Sequence, residues 1–273
     1  MGHGRIRRWS GGLRGQEPVA RVLTAAEAPE TLNLYPPVAS AAGREATQLG
    51  GFCISEASPS SMTGVPSRTY VYVDGFNFYY GAVRGTPHKW CDLGALFGNL
   101  LPAHDVLATK YFTARTKPRP NDADVHVRQE VYFRALRTIP NLSIHLGTFR
   151  QSVVTARSAG SNPAIPRFVQ VHKTEEKGSD VNLASNLLLD CFRGRFDVAA
   201  VVSNDTDLVE PIRMVVRELG FPGVLINPHP KPARDLIRAS TSYLKIRAGV
   251  LAASQFPNPL TDERGTFHKP TSW

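Results

Sequence analysis

The sequence is poor in the features that would place a chain in a membrane or outside the cell. Its three cysteines, Cys53, Cys91 and Cys191, are scattered and odd in number. They make neither a disulfide framework nor a CxxC metal knuckle, so a reducing cytoplasm is the expected setting. The longest aliphatic run is Val198 to Val202, far short of the ~20 residues that span a bilayer, and no membrane association is expected. Arg5, Arg7 and Arg8 resemble the charged start of a signal peptide, but no apolar stretch of roughly 7–15 residues follows them. Glycine-rich phosphate loops are missing too: neither G-x-G-x-x-G nor G-x-x-x-x-G-K-S/T follows the first expected strand, which argues against an ordinary nucleotide-binding enzyme. The eight histidines are dispersed, none at metal-ligand spacing from another.

What is present is enough apolar residue, 42% of 273, to bury a core and exclude wholesale disorder. There is also a surplus of positive charge, formally +9. That surplus is concentrated. Residues 110–177 carry 12 basic and 5 acidic residues, net +7. A local basic excess attracts polyanions, of which nucleic acid is the commonest.

Residues 1–66 contain Gly-Gly, Pro-Pro and Ala/Ser/Thr clusters without a sustained apolar period. They read as a disordered leader, or as sequence that is not made if translation starts at Met62. From residue 67 to 248 the chain alternates short apolar strands with helices, and 249–273 reads as a C-terminal tail. Strands are expected at 69–73, 106–113, 142–149, 197–202, 224–226 and 243–246. Helices are expected after Gly75 and at 92–101, 123–139, 179–192, 206–219 and 233–239. In the 123–139 helix Val127, Val131, Ala135 and Leu136 share the expected apolar face. Ser152 to Ala156 and Phe168 to His172 read as a hairpin around a Gly/Ser/Asn/Pro loop. The pattern predicts an α/β fold, a three-layer α/β/α sandwich with a mostly parallel sheet and an inserted β-hairpin.

In such sheets ligands bind beyond the carboxyl ends of the strands. The first strand ends at Asp74, and the 197–202 strand leads into Asp205 and Asp207. If the two strands are neighbours, these carboxylates converge. Asp180 heads a helix whose core stripe is Ala184, Leu187, Leu188 and Cys191, and it continues that stripe one turn earlier. A single Asp at a strand end or helix start is often only a helix cap; the combination is much less easily explained by capping. Asn77 either caps its helix or orients Asp74. Gly75 and Gly178 are expected at tight turns or close approaches. Asp197, at the opposite end of its strand, reads as structural. Gathered carboxylates repel one another, and Mg²⁺ or Mn²⁺, which prefer oxygen ligands, removes the conflict. With the basic stretch, this suggests phosphodiester hydrolysis.

The segments V-D-G-F-N (73–77), K-G-S-D-V (177–181) and S-N-D-T-D (203–207) resemble the NYN domain, a branch of the PIN-like nucleases that includes the LabA-like bacterial proteins. The resemblance spans roughly 68–247. It implies a Rossmann-like sandwich and metal-dependent cleavage of RNA. It further implies Asp74, Asp180, Asp205 and Asp207 as catalytic carboxylates and ligands of Mg²⁺ or Mn²⁺, with Asn77 as a supporting polar residue. Ser203 matches the small hydroxyl residue before the acidic pair. Asn204 departs from the family, where glycine is common, and Ser179 stands where a small aliphatic is frequent.

The partner expected is RNA, held by Arg115, Lys117 and Arg119 in the loop after the second strand, by Arg150, Arg167 and Lys173 on the hairpin, and by Lys177. Tyr79 and Tyr80 are read as core packing rather than base stacking. Two other readings use the same fold: a non-catalytic RNA-binding or regulatory protein, and the toxin of a toxin–antitoxin pair. A haloacid-dehalogenase phosphatase would need a second Asp where Phe76 stands. No protein partner is named by the sequence, and self-association is left open.

Overall fold

A computed structural model describes residues 66–119, 121–158 and 167–273. The expected leader, with Met62 and Cys53, lies outside the described residues except for Pro66, and so does the hairpin loop at 159–166.

Seven strands form one sheet: β1 (Ser67–Asp74), β2 (His104–Ala114), β3 (Leu142–Arg157), β4 (Phe168–Lys177), β5 (Val198–Val202), β6 (Gly223–Asn227) and β7 (Ser242–Lys245). Their order is β4-β3-β2-β1-β5-β6-β7, with every pair parallel except β3/β4. The expected mostly parallel sandwich is what forms. β5 and β6 are buried along their whole length. Burial on both faces is why they read as unbroken apolar runs rather than alternating ones.

Alternation along β1 divides the core into two. Val71 and Val73 join α1 (Gly75–Phe78), α2 (Leu93–Leu100), α3 (Val125–Leu136) and α7 (Ala248–Ala253) on one face. Tyr72 joins α4 (Ser179–Phe192), α5 (Val209–Arg213) and α6 (Arg234–Ala239) on the other. Each fully buried Leu or Phe in these layers is worth roughly 1.5–3 kcal/mol.

Several elements differ from the sequence reading. β3 does not stop at Phe149. Its first part pairs with β2, and from Thr148 to Arg157 it continues as the first arm of the hairpin, paired antiparallel with β4. No turn former interrupts Arg150-Gln151, so the strand has no reason to end. The expected helix at 206–219 is a 3-10 turn (Thr206–Leu208), then α5, then a π-helical segment (Met214–Glu218). In α3 the packed face includes the expected Val131, Ala135 and Leu136 but is widened by Tyr132 and Phe133, while Val127 is exposed. The residues after 248 are not a loose tail. They form α7 and a small hairpin, β8 (Leu260–Asp262) with β9 (Gly265–Phe267). Phe256, Phe267 and Trp273 pack edge-on around the buried Trp90 at 5.7, 6.3 and 6.3 Å between ring centres.

Candidate active site

The chain leaves β1 at Asp74 and β5 at Ser203, and the two strands are hydrogen-bonded neighbours. The Asp74 carboxylate, 4% exposed, is held on three sides. Its Oδ1 accepts from the Asn77 backbone N–H at 2.9 Å, and its Oδ2 accepts from Asn77 Nδ2 at 2.7 Å and Ser203 Oγ at 2.9 Å. Of the two roles expected of Asn77, it takes the second: Asp74 is itself the N-cap of α1, and Asn77, inside that helix, fixes its carboxylate. It also ties the strands together, because its Oδ1 accepts from the Asn204 N–H at 3.2 Å. Gly75 follows because a Cβ there would sit 2.8 Å from the Phe112 carbonyl oxygen and from Tyr111 Oη.

Asp205 caps the next turn by accepting from the Asp207 N–H at 3.0 Å, and its own N–H donates to Ser203 Oγ at 3.0 Å. Asp207 is exposed and Asp205 half-buried. Asp180 enters from α4, whose start is set by Gly178 at φ 97, a left-handed conformation natural to glycine.

The electrostatics of these groups are coupled. Burial raises the Asp74 pKa above the usual carboxylate range, and the charge of Asp205 adds to it, while the bonds from Asn77 and Ser203 oppose the rise. Asp180 is pushed up to about 6, first by burial and then by the charges of Asp74, Asp205, Glu176 and Asp207. The structure therefore brings all four expected carboxylates into one field and adds Glu176. The sequence reading missed Glu176, whose Oε1 accepts from Ser179 N (3.1 Å) and Oγ (2.7 Å) and so caps α4.

Among the described residues no ion pair involves Asp74, Asp180, Asp205 or Asp207, and no three His, Cys, Asp or Glu side chains are grouped closely enough to hold a metal ion. The donor chemistry still fits a hard divalent cation, since Mg²⁺ is usually held by one or two carboxylates and keeps several waters.

The basic residues divide differently from expectation. Arg115 pairs with Glu130 at 2.7 Å, while Lys173 and Lys177 both pair with Glu175. Lys117, Arg119, Arg150 and Arg167 are exposed. Such surface pairs are worth little. Pairing along the hairpin puts Arg150 opposite Glu175, Ser152 opposite Lys173 and Thr148 opposite Lys177, so these residues share one face. Even-numbered β3 positions lie on the α3 side of the sheet, where Ile144 packs into the core. Glu176 and Phe149, which meet α4 and Phe76, lie on the other face.

On that α3 side, immediately behind Asp74, is a cavity of about 480 Å³ bordered by α1, the end of β2, the loop after it and α3. Tyr79 and Tyr80 line it with ring centres 5.3 Å apart. Tyr80 is 44% exposed and so is not core.

Compared with known proteins, residues 68–247 match the family model described as NYN domain. A relative, the 6-hydroxy-3-succinoylpyridine 3-monooxygenase HspA of Pseudomonas putida, is 34% identical over 239 residues, covering 76% of each chain. Among solved structures, a protein of unknown function from Vibrio parahaemolyticus superposes with a TM-score of 0.44 at 16% identity, covering 69% of this chain and 98% of that one.

Proposed function

The chain belongs to the NYN domain family, a PIN-like, nuclease-type family, and from that premise we propose that it is a metal-dependent ribonuclease hydrolysing RNA phosphodiester bonds. The observation that carries this reading is the carboxylate field around Asp74, in which Asp180 is pushed up to about 6, first by burial and then by the charges of its neighbours. A field of that kind is costly to the fold and has a use when a cation compensates it.

Asp74, Asp205 and a subset of Asp180 and Asp207 would hold Mg²⁺ or Mn²⁺. Bound there, the ion would neutralise charge on a phosphoryl group and activate water. The protein's own part is orientation. Ser203 and Asn77 fix the Asp74 carboxylate, and Asp205 is fixed by the turn it caps. Lys117, Arg119, Arg150 and Arg167, with the weakly paired Arg115, Lys173 and Lys177, would grip the RNA backbone without choosing its sequence. No helix among the described residues is long and apolar enough to cross a membrane, and Cys91 and Cys191 are free thiols, which supports the cytoplasm as the place of action.

The test is cleavage of RNA by the full chain with Mn²⁺ or Mg²⁺, against EDTA and against Asp74→Asn and Asp205→Asn. Cleavage that needs the ion and both carboxylates supports the reading. Wild-type protein that binds RNA but never cuts it would instead favour the non-catalytic reading, and activity restrained by a co-expressed neighbour would favour the toxin.

A second reading comes from the Pseudomonas relative, whose name is that of a pyridine monooxygenase. The aromatic-lined cavity beside Asp74 favours it. Hydroxylated product from 6-hydroxy-3-succinoylpyridine in the presence of O₂ and a reduced nicotinamide as added two-electron donor, with RNA left intact, would establish this reading in place of the first.

A further inference from the structure

The cavity behind Asp74 has a composition that neither the carboxylate site nor the core explains. Its volume of about 480 Å³ falls in the ~300–1,000 Å³ range of small-ligand pockets. Its walls are aromatic, with Phe76, Tyr79, Tyr80, Tyr111, Tyr132 and Trp273 among them. Four cations line it as well: Arg84, Lys89, Arg119 and Arg128. The one side-chain carboxylate in the lining, Asp122, is paired with Arg128. Arg84, Lys89 and Arg119 have no ion-pair partner among the described residues. The Arg84 guanidinium lies over the Tyr80 ring, 5.1 Å from its centre.

Some of the polar lining is already committed. Gln129 accepts from the N–H and hydroxyl of Thr116 and donates to the Ala114 carbonyl, and the Tyr132 hydroxyl donates to the Cys91 carbonyl. What remains is a set of ring faces and an uncompensated positive charge. Ring faces take planar aromatic groups, offset-stacked or edge-on. A surplus of cations in a half-enclosed space takes an anion. Both demands fall on one ligand, because the cavity holds one small molecule rather than two.

We propose that this cavity binds a planar aromatic anion of nucleotide size, its ring against Tyr79 and Tyr80 and its anionic group on Arg84, Lys89 or Arg119. Two sources supply that chemistry, a nucleotide unit of an RNA strand and a free aromatic acid. The site's position favours the nucleotide. Gly75 and Phe76, the residues after Asp74, form part of its wall, and the basic face of the hairpin lies on the same side of the sheet. A strand gripped by Arg150 and Lys173 would pass the cavity mouth before reaching the carboxylates. That assignment of the source, though not the cavity's chemistry, rests on the nuclease reading.

The experiment is calorimetric titration of the full chain in EDTA with 5′-AMP, with adenosine and with pyridine-3-carboxylate. EDTA removes the divalent ions on which cleavage is proposed to depend. Tyr80→Ala and Arg84→Ala alter exposed side chains and leave the core intact. Binding of 5′-AMP, competed by a short RNA, about tenfold or more weaker in both variants and absent for adenosine, establishes the nucleotide site. Pyridine-3-carboxylate binding with the same variant sensitivity, and 5′-AMP not binding, upholds the cavity chemistry and assigns the free acid as its source. If neither anion binds more tightly than about 1 mM, or if both variants bind as wild type does, the proposal is wrong. Asp74→Asn keeps the two questions apart, because it should abolish cleavage and leave 5′-AMP binding as it was.

Discussion

The Ser203 hydroxyl donates to Asp74 Oδ2 across 2.9 Å, and Ser203 Oγ in turn accepts from the Asp205 backbone N–H at 3.0 Å. One fully buried side chain thus sets the mutual position of two strand-end carboxylates. Ser203→Ala leaves the Asp74 oxygen one bond short and the Asp205 N–H without its acceptor. The expected cost is about 1–3 kcal/mol of stability, read by urea unfolding. Cleavage should fall about 10–100-fold, as for other groups that orient metal ligands. Ser203→Thr, which keeps the hydroxyl, should recover part of the activity.

Asp180 makes stability depend on pH in an unusual direction. Its folded pKa of about 6 lies above the ordinary 3.8. The stabilisation from its protonated form is therefore complete below pH 3.8 and is lost as pH rises through 6. Asp180→Asn, which removes the repelled charge, should raise Tm at pH 8 and bring no such gain at pH 4. Mn²⁺ should raise the wild-type Tm at pH 8 more than it raises that of Asp180→Asn. A Tm lowered by the substitution at pH 8 would contradict the repulsion.

How much of this was readable beforehand depends on the range of the interaction. The β1 and β5 strands, and the Asp residues ending them, were legible because burial on both faces writes an apolar run and the polar residue after it marks the exit. Helix α4 was legible to the residue, from its 3.6-residue stripe and the glycine before it. Long-range packing was not. Phe256, Phe267 and Trp273 are isolated among Pro, Asn and charged residues, so no period announces that they close around Trp90. Asn204 is similar. From sequence it is a departure from the family's glycine. In the structure its Oδ1 accepts the Ala233 N–H at 2.7 Å and its Nδ2 donates to the Lys231 carbonyl at 3.2 Å, fastening the residues before α6. Glu176 was hidden by its neighbours, since Glu175-Glu176-Lys177 reads as a solvated charge run until the pairing puts Glu176 on the α4 face.

The basic face has its own signature. Each phosphate contact removed from a single-stranded complex lowers the slope of log K against log salt by roughly 0.7. Replacing Arg119 and Arg150 with Ala should therefore weaken RNA binding and flatten that slope by about 1.4 if both touch phosphate. Arg193, at the C-terminal end of α4, is the control and should leave the slope unchanged. Fluorescence anisotropy across a salt series checks both.

Far from the carboxylates, α4 carries a second acidic residue that tests folding without touching the chemistry. Asp190 is 1% exposed and lies about 15 Å along the helix from Asp180. Its Oδ2 accepts from the Tyr72 hydroxyl at 2.8 Å and from Lys110 Nζ, and its Oδ1 accepts from Arg195 at 3.2 Å. The charge joins α4 to β1 and β2 beneath the core that also positions Asp74. Breaking a buried pair by removing one partner costs about 3–5 kcal/mol, because the other charge stays in place unpaired. Asp190→Asn should cost an amount of that order in urea unfolding. Lys110→Met should cost less, since Asp190 keeps Arg195 and Tyr72. Neither change alters a group at the site, so cleavage per folded molecule should equal wild type below the unfolding transition. A drop in that specific rate would mean that the lower half of α4 sets the position of Asp180, and that the two acidic residues of this helix act as one unit.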